Sequence, residues 1–314
     1  MSIHGNDSYV NYKYEFNSQT PFVCLLICVT LSTACLVGRM AKIYCSKPMN
    51  GTKQVFKAFF MMATANFLFS FFDNLTFRIP STGILTSWCA SIEPNVYLAW
   101  IYIFQLFSAY WSLLFALLFS IVRVIIYAQP LSNEKIFKWL FPVYTIFSIL
   151  FPAFTVFFLY TAKGYCRQWK WPYSFGAVFI SYTDTIGDIR NDFIYFTLSM
   201  FIPIMIVVLN ITLIFLGNQW AKKIKNGSNI FKAENVKTLY YTTIAMILPF
   251  AAHGTMAICG WLFPSVSGFV VVLRSPITEL GEFAVPLIYT LTTPMFKWKK
   301  NNSVASAFIT IQKI

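Results

Sequence analysis

Seven stretches of the chain are apolar over the length of a membrane crossing, and short polar segments separate them. The runs cover residues 21–43, 54–73, 96–123, 138–160, 193–217, 238–263 and 276–294. Because a helix rises about 1.5 Å per residue, about 20 residues cross a hydrocarbon core of about 30 Å. The pattern therefore predicts an all-α membrane protein, a bundle of seven transmembrane helices.

Basic residues concentrate in every second connection between these runs. The connections near 39–57, 123–138 and 218–237 and the segment after Pro294 hold 17 Lys and Arg against two acids. The rest of the chain holds seven against nine. Lys and Arg are retained on the cytoplasmic side of a membrane. We therefore expect an extracellular N-terminus at 1–20, a seven-transmembrane domain at 21–294 and a cytoplasmic tail at 295–314.

Composition excludes several classes of protein. A mean hydropathy of +0.62 with 11% charged residues excludes a soluble globule of this size. The net charge of +13 lies mostly on the predicted cytoplasmic face, where it suits membrane lipid and an acidic protein partner rather than nucleic acid. The connections leave no room for a catalytic domain, and two histidines, His4 and His253, cannot form a His-rich metal site. We expect no enzyme, no cofactor and no metal.

Two of the seven cysteines, Cys89 and Cys166, fall in predicted extracellular connections, where oxidation is allowed. We expect a disulfide between them; the alternative is two unpaired thiols. Asn6 begins the sequon Asn6-Asp7-Ser8 on the same predicted side and is the candidate glycosylation site.

The third run carries a polar stripe. Gln105, Ser108, Ser112 and Arg123 share one helical face, since Gln105 and Arg123 lie 18 residues, or about five turns, apart. Such a stripe on a membrane helix faces other helices rather than lipid. A guanidinium at the edge of the hydrocarbon is costly. Arg123 therefore either anchors the helix at the interface or meets acceptors on neighbouring helices.

The seventh run carries polar residues at spacings of three, four and three, which place them on one face. They are Glu279, Glu282, Pro286 and Tyr289. Two carboxyl groups within a span are costly unless they are paired or line a polar cavity, so we expect one or both in the wall of an outward-facing pocket. Cations of the predicted outside connections are candidate partners: Arg274, Lys170 and Arg167. The alternative is that the span begins later and both acids lie among the headgroups.

Several of these residues resemble the motifs of rhodopsin-like G-protein-coupled receptors. Arg123 with Pro130 resembles Asp-Arg-Tyr…Pro, Pro286-Leu287-Ile288-Tyr289 resembles Asn-Pro-x-x-Tyr, and Pro249 resembles the proline of their sixth helix. Valine replaces the acid, the tyrosine and the asparagine of these motifs at Val122, Val124 and Val285. Such departures, with the seven-span layout and the N-terminal Ile3-His4-Gly5-Asn6, resemble the nematode serpentine chemoreceptors of class u (Sru) in the Srg group.

This resemblance implies a chemosensory receptor of the plasma membrane, in a sensory cilium, that binds an extracellular small molecule in the outer half of the bundle. Its partners would be that ligand, a heterotrimeric G protein and, as a further candidate, a second receptor in a homo- or heterodimer. The candidate ligand-binding residues are Gln105, Ser108, Tyr110, Ser112, His253, Glu279 and Glu282. The candidates for activation and G-protein coupling are Arg123, Pro249, Pro286 and Tyr289.

A ligand-gated channel or a small-solute transporter is the main alternative function. Either would need ionisable groups at mid-membrane in several spans, whereas those regions hold almost none besides His253. A light receptor would need a lysine in the seventh span, and none occurs between Lys237 and Lys297.

Overall fold

The chain folds mainly into helices. A computed structural model describes residues 2–46, 53–128, 133–183, 191–225, 233–263 and 267–292. Seven long helices follow the seven predicted runs: α2 (Gln19–Ser46), α3 (Lys53–Asp73), α6 (Val96–Ala128), α7 (Asn133–Val156), α8 (Asn191–Lys225), α9 (Ala233–Leu262) and α10 (Ser267–Thr292). The short helix α1 (Asp7–Val10) precedes them, and the connections contain α4 (Ile79–Ser81), α5 (Thr86–Ser91), β1 (Lys163–Gln168) and β2 (Val178–Thr183).

The length of these helices matches a membrane crossing. In the described ranges, five helices satisfy both the length and the apolarity expected of a span: α2, α3 with its continuation, α6, α7 and α8. α9 and α10 have 30 and 26 residues, which at about 1.5 Å per residue also exceeds about 30 Å. The prediction of an all-α helix bundle is confirmed. The predicted tail at 295–314 lies outside the described residues.

The second long helix does not end at residue 73 as the sequence predicted. A π-helical turn, Asn74–Arg78, continues α3 into α4. A π turn holds more residues per turn than an α-helix and so rotates the side chains that follow it. Asp73 and Arg78, five residues apart, are thereby brought to the same side of the helix, where their side chains form an ion pair.

The seventh long helix begins earlier than its apolar run. α10 starts at Ser267 rather than at Pro276, which lies inside the helix. Glu279 and Glu282 are therefore well within a continuous helix, and the side chain of Glu279 is only 2% exposed. The helix itself therefore begins well before both acids.

One end of the bundle is covered by the antiparallel hairpin of β1 and β2. The expected disulfide is present: Cys166 of β1 is bonded to Cys89 of α5. The N-terminal segment joins the same assembly, because the Ile3 N–H donates to the Cys166 carbonyl at 3.2 Å. We call this the hairpin end of the bundle.

The hydrophobic core of the bundle lies nearer the opposite end. Buried apolar residues from all seven long helices form it, with Met40 as the contribution of α2. Within this core the ring of Tyr289 stacks on Phe59, with centroids 3.9 Å apart, and Phe59 packs against Phe119 at 5.3 Å. These rings join α10, α3 and α6, so the packing fixes the rotation of α10.

Gly281 allows α9 and α10 to approach closely. A Cβ atom at this position would lie 2.3 Å from Cβ of Pro249, whose rigid ring cannot move aside. We expect Gly281→Ala to destabilise the protein by about 1–3 kcal/mol through overpacking, offset in part by the better helix propensity of alanine. The apparent melting temperature of the purified protein in detergent measures this.

Gly254 supplies the matched control for that substitution. It also lies in a helix beside a proline, but a Cβ atom there would be at an ordinary 3.6 Å from Cβ of Pro203. Gly254→Ala should leave the melting temperature unchanged or raise it. Equal destabilisation by the two variants would contradict the steric argument.

Candidate functional site

A buried cluster of charged side chains joins the second and seventh long helices. Arg78 forms an ion pair through Nε with Asp73, 2.7 Å away, and a second through a terminal nitrogen with Glu279. The side chains of Arg78 and Glu279 are 6% and 2% exposed. Because buried charges are costly unless they are compensated, each partner is needed to keep the others stable.

Neutral side chains complete this charged cluster. The Thr30 hydroxyl donates to Oε1 of Glu279 at 2.7 Å, and the Asn74 amide donates to Thr30 at 2.9 Å. Ser70 donates to Oε2 of Glu282 at 3.4 Å, which is a long and weak hydrogen bond. The cluster thus connects α2, α3 and α10 through their side chains.

The partner of Glu279 was not among the residues that the sequence indicated. In the structure Lys170 is exposed and Arg167 lies in β1, and the side chain of Arg274 is outside the described part. Arg78 is the described cation that contacts Glu279. The sequence contained one signal for it, an acid and a base five residues apart at the end of an apolar run.

A cavity lies beside the cluster, among five helices. It encloses about 360 Å³, counting the space at its open mouth. Its walls include Phe69 of α3, Ser112 of α6, Tyr195 of α8, Phe250 of α9, and Thr278 and Glu282 of α10. Ser112 is at the middle of α6 (Val96–Ala128), so the cavity lies at mid-length of the bundle.

Most of the predicted ligand-binding residues that the structure describes lie near this cavity without lining it. Gln105 and Ser108 are buried on α6, toward the hairpin end. Tyr110 is 1% exposed and packs edge to face against Tyr195, with centroids 5.8 Å apart. Glu279 is held by Arg78, and the side chain of His253 lies outside the described residues. Of the predicted set, Ser112 and Glu282 line the cavity itself.

Aromatic side chains of the hairpin lie above the charged cluster. Trp169 stacks on Tyr173 at 5.0 Å and contacts Phe77, in the π turn, at 6.0 Å. Burial raises the pKa of Tyr173 to about 12; the charge of Asp73 adds to this rise and that of Arg78 opposes it. The hairpin therefore shields the cluster from water at this end of the bundle.

Arg123 occupies a second buried polar site, toward the opposite end. The residue is 2% exposed, and its guanidinium donates to acceptors on α9. They are the Leu239 carbonyl at 2.9 Å, the Thr242 hydroxyl at 2.9 Å and the Thr243 hydroxyl at 2.5 Å. A longer contact of 3.4 Å reaches Asn210 of α8. The sequence allowed Arg123 to be an interface anchor or to bond to neighbouring helices. In the structure it bonds to neighbouring helices.

The remaining predicted coupling residues lie between these two sites. Pro249 is buried against Gly281, and it lines the cavity. Pro286 is a buried residue inside α10, and Tyr289 follows it in the aromatic core beside Phe119. α9 and α10 thus carry residues that extend from the cavity toward Arg123.

Two comparisons with known proteins agree with each other. The family model described as "Serpentine type 7TM GPCR chemoreceptor Sru" matches residues 3–299. The chain is also 28% identical, over 220 residues, to the Caenorhabditis elegans protein "Serpentine receptor class U-26". That alignment covers 69% of this chain and 76% of the relative.

Proposed function

The chain belongs to the Sru family of serpentine seven-transmembrane chemoreceptors, and from this premise we propose a signalling role for it. It binds an extracellular small molecule in the cavity among α3, α6, α8, α9 and α10, and it activates a heterotrimeric G protein at the opposite end of the bundle. It catalyses no covalent chemistry. As a multi-pass membrane protein of a chemoreceptor family, it would act in the plasma membrane, in a sensory cilium.

The proposed coupling between ligand binding and G-protein activation is supported by the helices that the two sites share. The cavity is lined by α6, α8 and α9, and Arg123 of α6 bonds to the same α8 and α9 at the opposite end. A ligand that changes the separation of these helices at the cavity therefore changes the separation of Arg123 from its acceptors. Such a ligand shifts the equilibrium between a closed and an open end by its difference in affinity for the two states.

The disulfide supports the proposed orientation. Disulfides form in oxidising compartments, and Cys89–Cys166 lies at the hairpin end together with the N-terminal segment. The described flanks of the basic connections that the sequence assigns to the cytoplasm, such as 39–46 and 53–57, lie at the other end. We propose that the hairpin end is extracellular, that Asn6 is glycosylated there, and that the ligand enters from this side.

The test is a screen of small molecules on cells that express the receptor with a heterotrimeric G protein, with nucleotide exchange as the readout. We expect at least one compound to stimulate exchange, and Arg123→Ala to abolish the response at equal surface expression. A tag on the N-terminus should react with antibody on intact cells. A compound that opens an ion conductance without nucleotide exchange would favour the channel instead.

A further inference from the structure

We propose that the ligand is a small organic amine whose ammonium group pairs with Glu282 in the cavity wall. The proposal rests on the proposed function in one respect, that the cavity among α3, α6, α8, α9 and α10 is the ligand site. It adds the chemical class of the ligand and the residue that selects it.

Among the side chains that the structure describes, the charges around the cavity do not balance. The cluster beside it has three carboxyl groups, those of Asp73, Glu279 and Glu282, and one guanidinium, that of Arg78. Arg78 is already engaged by Asp73 and Glu279. Within the described ranges, Glu282 has no ion pair and accepts one hydrogen bond of 3.4 Å from Ser70.

Glu282 is the carboxyl group that a ligand can reach. Glu279, one turn away on the same face, is 2% exposed and closed in by Arg78 and Thr30, whereas Glu282 is half-buried and lines the cavity. An ionised carboxyl group inside a helix bundle is costly unless a cation compensates it. A ligand with a positive charge compensates the carboxylate of Glu282. An anionic ligand would add a further negative charge, and a neutral ligand would leave the carboxylate uncompensated.

The rest of the cavity wall suits the substituents of an amine. Phe69, Tyr195 and Phe250 contribute aromatic rings, which attract a cation at their faces and pack against an alkyl or aryl group. Ser112 and Thr278 contribute hydroxyl oxygens that can accept hydrogen bonds from an ammonium group. The total space of about 360 Å³ includes open solvent and the enclosed part is much smaller, which favours a ligand of few atoms.

The experiment compares amines with alcohols of the same skeleton. Phenethylamine, isopentylamine, phenethyl alcohol and isopentanol are titrated against the purified full-length receptor in lipid nanodiscs, and the shift in apparent melting temperature gives the dissociation constants. We expect at least one amine to bind about tenfold or more tightly than its alcohol. If no amine of the panel is preferred over its alcohol, the proposal is overturned, and this comparison needs no variant.

Two variants then assign the preference to Glu282. Glu282→Gln should remove most of the amine preference and leave alcohol binding unchanged, because only the charge is lost. Ser70→Ala is the matched control, since it deletes the hydrogen-bond donor to Glu282 but keeps the carboxyl group, and it should retain the preference. An unchanged preference in Glu282→Gln would overturn the proposal.

The binding readout separates this inference from the proposed function. If an amine binds through Glu282 but no heterotrimer exchanges nucleotide, the receptor function fails and the inference stands. If the alcohols stimulate exchange as strongly as the amines, and Glu282→Gln responds normally, the function stands and the inference fails.

Discussion

Replacement of Arg78 by methionine is expected to destabilise the helix bundle by about 3–5 kcal/mol, the cost of leaving buried charges without their partner. Arg78 is 6% exposed and compensates Asp73 and Glu279 at once. Methionine keeps a long apolar side chain of similar reach, so the loss of packing is small. The measurement is the apparent melting temperature of the purified protein, together with the fraction that folds on expression.

The companion variants show whether the effect is electrostatic. Glu279→Gln should cost less than Arg78→Met, because Asp73 still compensates the guanidinium. The double variant Arg78→Met with Glu279→Gln should be more stable than the sum of the single effects predicts, since it removes both members of the pair.

An exposed acid provides the control for this series. Glu93 lies near the hairpin end with its side chain in solvent, and Glu93→Gln should change stability by no more than about 0.5 kcal/mol. Strict additivity of Arg78→Met and Glu279→Gln would contradict a direct interaction. So would a loss in Arg78→Met no larger than that of Glu93→Gln.

The helices could be predicted from the sequence, whereas their ends could not. Apolarity along a run depends on neighbouring residues, so the sequence alone located all seven long helices. Asp73 and Arg78 looked like the polar end of a span because their partners are not local. Glu279, which compensates Arg78, is 201 residues away in the chain, and a pattern of neighbouring residues does not contain that information.

The candidate site was predicted in part for the same reason. Helical spacing placed Ser112 on the stripe of α6 and Glu282 on the face of α10, and both line the cavity. The pairing of Arg78 with Glu279 needed the π turn, which no spacing rule in the sequence indicated. The contacts of Arg123 depend on the rotation of α9, which presents Thr242 and Thr243 rather than their neighbours.

Replacement of Thr242 and Thr243 is expected to have a large effect on ligand-independent nucleotide exchange. If the guanidinium of Arg123 holds α9 in the closed arrangement, the double variant Thr242→Val with Thr243→Val should raise ligand-independent nucleotide exchange about tenfold or more. A hydrogen bond to a charged group contributes about 1.5–3 kcal/mol, and two are lost while the shape of the side chains is kept. A shift of about 1.4 kcal/mol in the equilibrium between closed and open states already changes their ratio tenfold.

A third threonine supplies the control, and Arg123→Ala distinguishes holding α9 closed from coupling to the G protein. Thr212 lies on the exposed face of α8 and donates to the carbonyl of Val208, one turn earlier. Thr212→Val should therefore leave basal exchange unchanged. Arg123→Ala also releases α9, but it removes a side chain that is a candidate for G-protein coupling, so exchange should fall instead of rise. Basal exchange that stays at the wild-type level in the double valine variant, at equal surface expression, would show that these bonds do not hold the closed state.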